Sequence, residues 1–178
     1  VNGDEQITDS EVTKTAGGNI TVSGDQTVTG SELSETSSTG AIAVTGDEEI
    51  TGQSTVTKQA NGDISVGGSQ TVTGSKLTEA SAKGAISVNG DEQITDSEVT
   101  KTAGGNITVS GDQTVTGSKL TETSTNGDIS VTGNATLTNS ATRLTANKNL
   151  SVTGNTVVTG GTLSARAITG DITLTKIR

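Results

Sequence analysis

Carboxylates at recurring corners are the first residues in this chain whose type and spacing could do chemistry. Asp25, Asp47, Asp91 and Asp112 occupy equivalent positions, with Glu48, Glu49 and Glu92 beside some of them. Stacked carboxylates from successive repeats could hold Ca²⁺, which takes several oxygen ligands. Only Asp25/Asp47 and Asp91/Asp112 are neighbours, however, and Ser69, Asn134 and Asn155 stand at the same place elsewhere. The calcium-binding repeat G-G-x-G-x-D is also absent. These corners therefore read as a solvated acidic face. Pairs of carboxylates also cleave polysaccharides, but here every carboxylate belongs to a repeating position and no aromatic platform exists for a sugar. Ser and Thr are abundant, yet there is no His to act as their base and no Cys to supply a thiolate. No catalytic, cofactor-binding or metal-binding residue is assigned, no cofactor is expected, and the chain is not expected to be an enzyme.

The elements that would have to position any such group are unusual. The 178 residues include no Phe, Trp, Tyr, Met, Cys, His or Pro, which leaves no material for a conventional globular core. Only 28% of residues are hydrophobic and 24 are Gly, a balance that alone would suggest disorder. Val, Ile and Thr recur too regularly for that. A net charge of −9 argues against nucleic acid and acidic membrane surfaces as partners. No apolar run reaches transmembrane length, so no membrane insertion is expected. The chain opens at Val1 inside a repeat, without a signal peptide, and is read as a single repeat domain, 1–178, belonging to a longer protein.

Residues Val1–Ser31 are identical to Val88–Ser118, an offset of 87 residues that marks tandem duplication. Inside it lies a shorter period. Ile20, Ile42, Ile64, Ile86, Ile107, Ile129, Leu150 and Ile172 are spaced by 21 or 22 residues, the signature of a solenoid. A second apolar residue follows two places later, from Val22 to Leu174. A third file runs Val28, Ile50, Val72, Ile94, Val115, Leu137, Val158 and a fourth Leu33, Val56, Leu77, Val99, Leu120, Leu144, Leu163. The alternation predicts three short strands per coil and about eight coils, stacked as parallel sheets about 4.8 Å apart. Helix is excluded by the weight of Gly, Thr, Ser and Asn and by the lack of any 3.6-residue stripe.

Corners punctuate each coil. Gly stands at 3, 24, 46, 68, 90, 111, 133 and 154, where a positive φ is expected. A second corner falls at Gly30, Gly52, Gly74, Asp96, Gly117, Asn139 and Gly160, the set that tolerates the left-handed region. Ladders should link the coils. Thr29, Thr51, Thr73, Thr95, Thr116, Thr138 and Thr159 form an outward file, and Ser31, Ser54, Ser75, Ser97, Ser118, Thr142 and Gly161 have inward parity. Glu35, Lys58, Glu79, Lys101 and Glu122 alternate in sign from coil to coil, with Lys76, Glu98 and Lys119 in the opposite phase. Read as a surface checkerboard, they set register, each exposed pair contributing about 0.2–1 kcal/mol. The last coils, with Arg143, Lys148, Arg166, Lys176 and Arg178, form a mildly basic end, read as drift of the less regular coils with a docking surface as the alternative.

Units such as GDISVTGNATLTNS, GNITVSGDQTVTGSKL and GAISVNGDEQITDSEV resemble the haemagglutinin repeats of filamentous haemagglutinin-like exoproteins, over essentially the whole chain. The resemblance implies a right-handed parallel β-helix, the shaft of a long protein secreted to the surface of a Gram-negative bacterium. It implies export through an outer-membrane two-partner secretion transporter, and a host or bacterial cell-surface receptor engaged by a tip outside this chain. Adhesion, biofilm tethering and contact-dependent growth inhibition are the roles such shafts serve. The rival reading is an ice-binding or polysaccharide-binding solenoid using Thr27/Thr29, Thr71/Thr73 and Thr114/Thr116, but Glu49 and Gln93 interrupt that face. Bare solenoid edges also make end-to-end self-association an expectation.

Overall fold

In the computed structural model, which describes residues 1–177, the chain winds as a right-handed parallel β-solenoid of about eight coils. Arg178, counted above in the basic end, lies outside the described residues. Each full coil has three strands, as in Ile20–Val22, Gln26–Thr29 and Glu32–Ser37. In the last two coils the pairing runs on across the corners, so that Ala135–Ala146 and Leu150–Ala167 are each one continuous strand. Every strand pairs in parallel with its equivalent one coil away, for example Ile86 with Ile64 and Ile107, and Val72 with Ile50 and Ile94. No helix occurs among the described residues.

Period-2 alternation decides what goes inside. The four expected apolar files line the interior as three groups. The Val28 and Leu33 files meet at the corner between the second and third strands. The Ile42 file packs on Ala60, Ala103 and Ala146 between the third and first strands, and the Val66 file packs between the first and second. A single coil with so few aliphatic side chains could not offset its chain entropy, so the repetition itself supplies the core.

The two corners work differently. Gly30, Gly52, Gly74, Asp96, Gly117, Asn139 and Gly160 all have positive φ, as their types predict. Among the first-corner glycines, however, only Gly3 does. The others are Gly because the coils approach too closely for a side chain: a Cβ on Gly90 would lie 2.8 Å from the carbonyl carbon of Gly68.

The seventh coil corrects the expected register. Leu120 pairs with Thr142, and Leu144 pairs with Glu122. Thr142 thus sits in the apolar file and Leu144 in the file of charges, while Ser140 takes the place expected for Thr142 in the serine ladder. Spacing from the Asn139 corner, not side-chain type, sets which residue points where.

Candidate functional site

The corner carboxylates are occupied by the backbone. Asp25 Oδ1 accepts the Asp47 N–H at 2.8 Å, and Asp47 Oδ1 accepts that of Ser69 at 2.8 Å. Ser69 Oγ accepts from Asp91 at 3.2 Å, Asp91 from Asp112 at 2.8 Å, and Asp112 from Asn134 at 2.7 Å. The ladder explains the choice of residues, because Asp, Asn and Ser all offer a short acceptor to an amide that the turn leaves unpaired. A second ladder runs through Asp63, Asn106, Asp128 and Asn149. Glu48 and Glu92, grouped with these corners by sequence, are buried inside the solenoid instead. Among the described residues no group of three or more His, Cys, Asp or Glu side chains could hold a metal ion.

The serine ladder is inward and continuous. The N–H of Ser31 donates to Ser54 Oγ, Ser54 to Ser75, Ser75 to Ser97, and Ser97 to Ser118, all at 3.0–3.1 Å. Each hydroxyl in turn donates to the carbonyl of the preceding corner, as Ser97 does to Thr95 at 2.6 Å. On the outside, Lys119 donates to Glu98 at 3.0 Å and Lys76 lies 3.8 Å from it, all three exposed as expected. Lys119 and, more weakly, Lys76 hold the Glu98 carboxyl below its ordinary range.

The main departure from the surface reading is the alternating file of charges. Glu35, Lys58, Glu79, Lys101 and Glu122 are not a surface checkerboard; their side chains are 0–1% exposed. They face a second buried file on the neighbouring strand, Gln26, Glu48, Gln70, Glu92 and Gln113. Together with Glu5 and Lys14 at the N-terminal end, the two files form a polar column running between the apolar corners. Its unit is two coils. One coil contributes Gln and Glu, the next Glu and Lys, and the same bonds recur along it. Gln26 Nε2 donates to Glu5 at 2.6 Å and to Glu35 at 3.2 Å. Gln70 donates to Glu48 at 2.7 Å and Glu79 at 3.1 Å, and Gln113 to Glu92 at 2.6 Å and Glu122 at 3.1 Å.

Lys14 and Lys101 bridge coils, whereas Lys58 pairs within its own coil. Lys14 pairs with Glu5 and, at 2.9 Å, with Glu35; Lys58 pairs with Glu48. Lys101 pairs with Glu92, donates to Gln70 Oε1 at 2.8 Å and lies 3.7 Å from Glu79. Burial alone would lower both inner lysines, but surrounding carboxylates outweigh it and hold Lys58 and Lys101 above the ordinary lysine value. Burial drives the carboxyls the other way. It raises Glu79, with Lys101 and Lys58 only partly opposing, and with help from Glu92 it pushes Glu122 up to about 8. Above Glu122 the column ends on apolar side chains, since Leu144 stacks on Glu122 and Ala135 on Gln113.

Chemically this column can hold charge and register but cannot reach a substrate, because its inner members are sealed from solvent. The glutamines were not singled out by sequence as members of any site. The signal was there: Gln26 shares parity with Val28, and Glu35 with Leu33. Outside, a shallow groove along the third strands passes over Gln59, Ala60, Ala80, Ser81 and Ala103, and it carries no charged group. No protein-family model matches the chain, and neither curated proteins nor solved structures give a match. The likeness to haemagglutinin repeats therefore rests on the residues quoted for it.

Proposed function

We propose that this chain is a structural shaft, a segment of a secreted bacterial surface exoprotein that holds a distal functional tip away from the cell. The observation that carries this reading is the continuity of the ladders. The apolar, serine and charged files run from coil to coil, and the polar groups of the corners bond to the next coil rather than facing outward to a ligand. Such a design concentrates its interactions along the axis, where a rod must resist bending and separation. Length can grow by adding two-coil units without inventing a new core, which fits the 87-residue identity between Val1–Ser31 and Val88–Ser118. In this reading the chain is no enzyme, it reaches the surface through an outer-membrane two-partner transporter, and the tip meets the receptor.

The test is to challenge the purified chain, its β content verified by circular dichroism, with host glycans, bacterial exopolysaccharides and ice. A β-rich rod that binds none of them supports the passive shaft. Saturable binding to one of them would replace it with an adhesive or ice-binding solenoid acting through its outward threonines. Sedimentation over a concentration series reports whether rods associate end to end.

A further inference from the structure

The polar column holds more carboxylates than ammonium groups. Between the N-terminal end and the Leu144 plug there are three lysines, Lys14, Lys58 and Lys101, against five wholly buried glutamates, Glu35, Glu48, Glu79, Glu92 and Glu122. Glu5, partly open to solvent at the end of the rod, can keep its charge without a buried partner. Three of the five buried carboxylates have an ion pair of their own: Glu35 with Lys14, Glu48 with Lys58 and Glu92 with Lys101. Glu79 shares Lys101 with Glu92, its Oε2 lying 3.7 Å from the ammonium, and Glu122 has no ion pair, so neither has a lysine of its own. Each accepts one bond from a glutamine through Oε1 and has an Oε2 buried without a hydrogen-bond partner; Glu35 and Glu92 also have one such oxygen, but each of them has a lysine of its own. An ionised carboxylate with an unsatisfied oxygen in such an interior is strongly disfavoured, and a proton removes both the charge and the imbalance.

We propose that the interior column is a proton-binding site that holds two protons at neutral pH, on Glu79 and Glu122, and that their release on alkalinisation loosens the coils around them. The groups facing each site are fixed by the stack. Around Glu79 stand Lys58 and Glu48 from the coil below, Gln70 from its own coil, and Lys101 from the coil above. Around Glu122 stand Lys101 and Glu92 from the coil below, Gln113 from its own coil, Glu79 further down, and the uncharged Leu144 above. Glu122 is thus the end of the column, with a lysine on one side only. With both glutamates neutral, three buried carboxylates balance three ammonium groups.

Both carboxyls are raised in the folded chain, so folding takes up protons. The stabilisation is complete below the ordinary carboxylate value of 4.5, and for Glu122 it is lost as pH rises towards about 8. Within that window the folding equilibrium constant should fall about tenfold per pH unit for each such proton.

Infrared titration of the unsubstituted chain in D₂O tests the proposal directly, because a protonated carboxyl absorbs clear of the carboxylate band. Exposed carboxyls are ionised at neutral pH, so a band at pH 7 worth two carboxyls per chain, fading on alkalinisation, is the expected result. Its absence at pH 7 would overturn the proposal. Glu79→Gln and Glu122→Gln should each remove half of the band and one tenfold step per pH unit from the urea-unfolding profile. If either variant does not fold, the titration of the unsubstituted chain still decides. A band that both variants leave unchanged would also overturn it.

Discussion

Removing one coil should damage this solenoid more than removing two. Deleting Ile64–Ala85 takes out the coil of Gln70 and Glu79 and joins Asp63 to Ile86, a junction of the same type as Asp63 to Ile64. The coil of Lys58 and Glu48 then stacks directly under that of Lys101 and Glu92, since Glu79 now separates the two lysines in the file. Adjacent coils lie about 4.8 Å apart, and two like charges at that distance repel by about 3.5 kcal/mol at an effective dielectric constant of about 20. Glu48 and Glu92 are brought together in the same way, and the bridging Gln70 amide is lost. Deleting Ile64–Asn106 instead removes a whole two-coil unit, so Lys58 meets Glu122 as it formerly met Glu79. The shorter chain keeps its alternation. The assay is urea unfolding of both chains followed by circular dichroism. Length alone favours the single-coil deletion, which keeps one more coil, whereas the column favours the double deletion. A single-coil deletion as stable as the double, or more so, would refute a two-coil unit held by buried charge.

Three smaller perturbations follow from the same contacts. Lys101→Met should cost about 3–5 kcal/mol by stranding Glu92 and its neighbours without a counter-charge, and adding Glu92→Gln should recover most of it; a double-mutant cycle in urea measures the coupling. Ser97→Ala removes the acceptor of the buried Ser75 N–H and should cost about 1–3 kcal/mol in the same unfolding experiment. Gly90→Ala, where a Cβ meets backbone of the preceding coil, should lower the urea midpoint more than Gly74→Ala, where the space is open and only a φ of +58° opposes the change, at about 1–2 kcal/mol.

Much of this architecture is legible from residue order. The 21- or 22-residue spacing of Ile20, Ile42 and their successors leaves a stack of parallel coils as the arrangement that buries them all. Gly, Asp and Asn at the second corner announce positive φ, because few other residues reach it without strain. The inward serines and outward threonines follow from parity. What residue order could not settle is where a charge goes when its type and its parity disagree. Glu35 and Lys58 carry the parity of Leu33 and Val56, which places them inside, and the chemistry of surface residues, which places them outside. Burying either alone is prohibitive. It becomes tolerable only when the other coils bring lysine, glutamate and glutamine into one column, and those partners lie some 9 to 31 residues away along the chain. The same holds for Thr142 and Leu144, whose places were decided by the corner at Asn139 and by the end of the column rather than by hydrophobicity. Residue order determined the period and the faces of this protein; the tertiary stack alone decided that its interior is charged, because only there are the compensating groups neighbours.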